Sequence, residues 1–105
     1  MALSDQERRL RAVTEKELDQ SVHELCDLYG WKRYHTFRSD KSPAGFPDLV
    51  LVRERIIYAE LKRETANPTR EQSRWLEALR QGRGEVYVIR PRDLQQFADI
   101  LAMHV

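Results

Sequence analysis

A chain of 105 residues with a net charge of +1 suits one domain around a single core; it has no apolar run near the roughly 18 residues of a membrane span, and its start, MALSDQERRLR, is too polar for a signal peptide, so a cytoplasmic protein is expected. The lone Cys26 excludes an internal disulfide, and with only His23, His35 and His104 beside it a zinc site is a poor fit, which leaves oxygen donors for any metal. Residues 1–30 hold four Lys/Arg against seven Asp/Glu, whereas residues 31–92 hold fourteen against eight, an excess of six positive charges that would suit a polyanionic partner.

In chain order, Ser4 with Glu7 and Thr14 with Glu17 both fit the capping-box pattern. Residues 4–13 therefore either extend the first main helix or form a turn of their own. From Thr14 to Tyr29 the residues Leu18, Val22, Leu25 and Leu28 recur at helical spacing, and Gly30 is a stop signal. Trp31 to Arg38 (WKRYHTFR) alternates roughly and reads as a strand, with Trp31 as its anchor. The loop SDKSPAGF follows. Pro47 to Val52 and Ile56 to Lys62 are two further strands, and the link Arg53-Glu54-Arg55 is short enough for an antiparallel hairpin. Thr69 and Gln72 form a third capping box, opening a helix with the stripe Trp75, Leu76 and Leu79. Gln81-Gly82-Arg83-Gly84 ends it, Glu85 to Ile89 is a fourth strand, and Pro91 opens a last helix through Met103.

The order α-β-β-β-α-β-α, with a crossover helix between the last two strands, predicts an α/β fold. Its four-stranded sheet is mixed: three strands in a meander, and the fourth parallel to the third.

The charges on the strands need a reason. Tyr58, Glu60 and Lys62 share one face of their strand, and in an antiparallel hairpin Asp48 starts its strand beside the end of its neighbour. Three charges then converge at one sheet end, expected to lie near solvent. Two carboxylates within reach repel unless a cation sits between them, and Mg²⁺ suits two carboxylates, a backbone carbonyl and waters. Such an ion lowers the pKa of a bound water and stabilises charge on phosphate, while Lys62 would hold the attacking water or the developing anion. This is the logic of metal-dependent phosphodiester hydrolysis. The competing account of Glu60 and Lys62 alone is an ordinary salt bridge at a frayed strand end, and Asp48 on the preceding strand argues against it.

Pro47-Asp48 followed by Glu60-Leu61-Lys62 is the PD-(D/E)XK nuclease signature, and its wider context strengthens the match: TEKEL opening a helix, GW before YHT, GFPDLVLV, AELK, TREQ before WL, and VYVIRP. From about Thr14 to about Asp93 the chain closely resembles the VRR-NUC family of that superfamily. The resemblance implies a restriction-endonuclease-like core and Mg²⁺- or Mn²⁺-dependent cleavage of DNA, in some relatives of branched forms such as Holliday junctions or flaps. It also implies a phage or bacterial setting and a homodimer, which a one-site domain needs for paired cuts. Carried over by residue, it makes Asp48 and Glu60 metal ligands, adds the carbonyl of Leu61, and makes Lys62 the catalytic lysine.

The family also places a glutamate on the first helix, facing the site, for which Glu15 and Glu17 compete. Glu15 lies three and seven residues before Leu18 and Val22 and so belongs to the inward stripe, whereas Glu17 is engaged with Thr14; Glu15 is therefore the expected helix-borne acid, binding the metal directly or through water. Gln72 matches a glutamine of the family's TxEQ-like segment and would position water or phosphate, with its capping role an equal account. His35 and Arg38 are candidates for phosphate contact, against a plain reading as solvated strand residues. The rival for the whole chain is a nuclease-like module that grips DNA or a protein without cutting it.

Overall fold

The computed structural model describes residues 2–37 and 43–104. Its elements run α1 (Asp5–Ala12), α2 (Glu15–Tyr29), β1 (Lys32–His35), β2 (Leu49–Val52), β3 (Ile56–Leu61), α3 (Arg70–Arg80), β4 (Glu85–Ile89), a 3-10 turn (Pro91–Asp93) and α4 (Leu94–Ala102). The three capping boxes form as the sequence predicts: Ser4, Thr14 and Thr69 each accept from the backbone three residues on, and Glu7, Glu17 and Gln72 each return the bond. Because Val13 is extended between two of these caps, residues 5–12 are a helix of their own. Gly30 ends α2 in the left-handed region at φ 76°, where a glycine costs least.

The sheet order is β1-β2-β3-β4, antiparallel across the first three strands and parallel between β3 and β4. One face carries Leu49, Leu51, Ile57, Ala59, Leu61 and Ile89 against Leu18, Val22 and Cys26 of α2 and Phe97 and Leu101 of α4. Each buried Leu, Ile, Val or Phe among them contributes about 1.5–3 kcal/mol. The expected α2 stripe needs one correction. Leu28 is 70% exposed and Cys26 is in the core, because the inward row steps by four from Leu18 to Val22 to Cys26.

The opposite face carries Val50, Tyr58 and Glu60. Helix α3 packs over β4 there, and Trp75 reaches Tyr58 through Phe46, with ring centroids 5.2 and 6.2 Å apart along that path. The first three strands are shorter than their sequence suggests, and β4 has the expected bounds. β1 ends at His35 and β2 begins at Leu49; one step further the Thr36 amide still bonds the Asp48 carbonyl in register, but there side chains take up the remaining bonds, the Thr36 hydroxyl donating to Pro47 and the Asp48 and Glu60 carboxylates accepting from facing amides.

The Arg53-Glu54-Arg55 link is a clamp rather than a bare turn. Arg53 donates to the carbonyls of Tyr29 and Leu101, at 3.0 and 2.8 Å, and Arg55 to that of Ile100. Both guanidiniums lie over the Trp31 ring, 4.4 and 4.9 Å from its centroid, and the Trp31 indole donates to Leu101. Cations thus meet the negative ends of α2 and α4 at the hairpin turn. With the C-terminus of α2 held there, its N-terminus lies at the other end of the sheet, where Arg63 donates to the carbonyls of Arg11 and Val13.

Candidate active site

That other end is where the charged strand residues meet. Extending the register by one step from Leu49 and Ala59 sets Asp48 opposite Glu60. The two exchange unusual bonds: the Asp48 amide donates to Glu60 Oε1 at 3.1 Å, and the Leu61 amide donates to Asp48 Oδ2 at 2.8 Å. Each carboxylate therefore spends one oxygen on the backbone of the facing strand. In an extended strand a residue's N–H and C=O point to the same side, so the Leu61 carbonyl also faces Asp48.

Glu60 is not near solvent, as the sequence suggested, but 1% exposed, and Lys62 is mostly covered as well. The reason is α3 and the Gly45-Phe46 turn, which close over this half of the sheet. Gly45, at φ 96°, lies so close to α3 that a Cβ there would stand 2.6 Å from the Glu71 carbonyl carbon. Burial pushes the Glu60 carboxyl up to about 8, with the facing Asp48 carboxyl adding to the effect and Lys62 opposing it. Glu60 Oε2 is buried without a hydrogen-bond partner among the described residues, its nearest cation being Lys62 Nζ at 4.0 Å.

An orphaned buried carboxylate oxygen, a second carboxylate and a strand carbonyl on one side form a donor set that fits Mg²⁺ or Mn²⁺. Such ions keep several waters and take one or two carboxylates plus substrate phosphate rather than a full protein cage. Among the described residues no group of three His, Cys, Asp or Glu side chains is close enough to hold a metal ion. Glu15, expected on the inward stripe, is instead exposed on the first turn of α2, because the buried row begins at Leu18; it lies at the same end of the molecule as the pair without closing onto it. Glu17 holds the Thr14 amide at 3.0 Å, as expected.

Gln72 is 8% exposed and accepts from the Thr69 amide at 2.8 Å, so its capping role is real; its side-chain NH₂ has no partner among the described residues. His35 turns to the α2 side of the sheet, 3.9 Å from Asp19 and away from the face of Asp48 and Glu60. Arg38 lies outside the described residues.

Two contributors escaped the sequence reading. Thr36 pins Asp48 from the β1 side, its amide donating to the Asp48 carbonyl at 2.8 Å and its hydroxyl to the Pro47 carbonyl at 2.6 Å. Asp19, one turn after Glu15, binds Arg33 through both oxygens at 2.7 Å and joins α2 to β1. The only sequence signal for Thr36 is its place one step past the strand, in register with Asp48. In comparisons with known families, curated proteins and solved structures, the chain matches none.

Proposed function

We propose that the protein is a divalent-metal-dependent nuclease that hydrolyses phosphodiester bonds in DNA, with a restriction-endonuclease-like core as its resemblance to VRR-NUC domains implies. The observation that carries the reading is the unpartnered, buried Oε2 of Glu60 facing Asp48 beside Lys62. A buried acid left unpaired costs stability, and a chain that keeps it gains something else from it. Asp48, Glu60 and the Leu61 carbonyl are the ligand set for Mg²⁺ or Mn²⁺. Bound there, the ion supplies Lewis-acid stabilisation of the phosphate and a more acidic water.

Lys62 reaches the same space with an ammonium that donates to a phosphate oxygen or holds the attacking water. Gln72 offers its free NH₂ beside the loop that leads to Asp48. Glu15 acts from the rim, through water. Two copies of the chain, each with one site, would make paired cuts in a branched substrate.

Cleavage of end-labelled four-way, flap, splayed and linear DNA in Mg²⁺ or Mn²⁺ tests the reading. The wild type is expected to cut at least one branched form, and Asp48→Asn and Lys62→Met to lose about 100-fold or more. Undiminished cutting by both variants overturns the site; metal-independent binding of DNA without cutting by the wild type favours the binding module.

A further inference from the structure

The sheet face that bears Asp48 and Glu60 is covered on one half only. Arg33 binds Asp19 and His23 on the α2 side, so its strand neighbours Lys32 and Tyr34 point to the opposite face, the one shared by Asp48 and Glu60. No such cover reaches Tyr34, which is 62% exposed. By register this face falls into rows: Thr36, Asp48 and Glu60; then Tyr34, Val50 and Tyr58; then Lys32, Val52 and Ile56.

Tyr34 is the diagonal neighbour of Asp48 across β1 and β2, about 7–8 Å away. Lys32 lies one row further, about 7 Å along the strand, and has no ion-pair partner among the described residues. That row spacing is about twice the 3.4 Å rise of a stacked DNA strand, so it suits an unstacked strand rather than duplex. An aromatic ring on an open sheet face, flanked by a cation, is how sheet-based single-strand binders hold bases.

We infer that Tyr34 is a stacking platform for an unpaired nucleobase next to the phosphate that Lys62 contacts beside Asp48 and Glu60, with Lys32 on the following phosphate. The inference rests on the nuclease reading for the identity of the strand, and it selects splayed or flap DNA, where bases near the cut are already free, over blunt duplex. Charge decides against a second copy of this chain as the occupant: Lys32 and Lys62 complement phosphates, and among the described residues only Val52 and Ile56 beyond Tyr34 are large exposed apolar side chains on this face.

The test measures affinity in Ca²⁺ for a splayed duplex and a blunt duplex, the splayed one carrying 2-aminopurine in the unpaired arm. Wild type and Tyr34→Phe are expected to bind the splayed form alike and to quench the probe. Tyr34→Ala is expected to bind it about fivefold or more weakly, without quenching, and to bind blunt duplex unchanged. An unaltered melting temperature shows that the variant folds. Equal binding and quenching by Tyr34→Ala overturns the inference while leaving any cleavage by the wild type intact. Tyr34-dependent binding by a wild type that cuts nothing keeps the inference and removes the nuclease reading. A change of oligomeric state in Tyr34→Ala, with DNA binding unchanged, assigns the face to a second copy.

Discussion

Glu60 carries a proton in the folded chain at pH values where the unfolded chain has lost it, since burial and Asp48 raise it from 4.5 to about 8. The folded state then binds more protons between those values, so stability falls as pH rises from about 4.5 to 8, at a slope of up to about 1.4 kcal/mol per unit. Glu60→Gln removes the titrating group in nearly the same shape; urea midpoints at pH 5, 6.5 and 8 should show a flatter profile and a more stable variant at pH 8. Parallel profiles would contradict the account. A divalent ion needs Glu60 ionised, so the rise in melting temperature caused by Mn²⁺ should be larger at pH 8 than at pH 6 and should vanish in Glu60→Gln. On α2 the two glutamates separate by effect. Glu15→Gln is expected to slow cleavage with little change in melting temperature, and Glu17→Gln to lower the melting temperature slightly with cleavage retained, because Glu17 caps Thr14; the opposite pattern would show that the helix-borne acid is Glu17.

At the level of elements, the two ends of the sheet do different work. The hairpin turn is tied to the C-termini of α2 and α4 by Arg53 and Arg55 over Trp31. Arg55→Gln should break the ion pair with Glu85 and the bond to the Ile100 carbonyl and cost about 1–3 kcal/mol, read from urea unfolding, with the site end unaffected in Mn²⁺ affinity. Gly45→Ala should act at the other end: a methyl group against the Glu71 backbone at a positive φ costs about 1–3 kcal/mol and displaces the strand start that carries Asp48. Its Mn²⁺ affinity should fall together with stability, which distinguishes it from Arg55→Gln. The caps at Ser4, Thr14 and Thr69 were legible because each is a local bond between residues three apart, and the meander with its parallel fourth strand followed from connection lengths. The pairing of Asp48 with Glu60 was legible from strand alternation and a short hairpin. The burial of Glu60 was not, because it depends on how closely the Gly45 turn approaches α3, and no local pattern encodes that distance. The arginine clamp and the Thr36 bonds were hidden for the same reason: their partners lie between 11 and 48 residues away.

Across the whole molecule, the positive excess of residues 31–92 overstates the charge available to a polyanion. Arg33, Arg53, Arg55, Arg63 and Arg90 are engaged with internal acids, backbone carbonyls or Asn67. Lys32, Arg70, Arg74 and Arg83 have no hydrogen-bond or ion-pair partner among the described residues and remain for phosphate contact. DNA affinity should therefore rest on the metal as much as on side-chain charge, since without a cation Asp48 and Glu60 would face the phosphates directly. No helix among the described residues is long and apolar enough to cross a membrane. The most direct test measures affinity and cleavage of a splayed DNA side by side in chelator, Ca²⁺, Mg²⁺ and Mn²⁺. Ca²⁺ is larger, accepts looser geometry and activates water less well. Weak binding is expected in chelator, binding with little or no cutting in Ca²⁺, and both binding and cutting in Mg²⁺ and Mn²⁺. Equal affinity in all four conditions with no cleavage in any would contradict it.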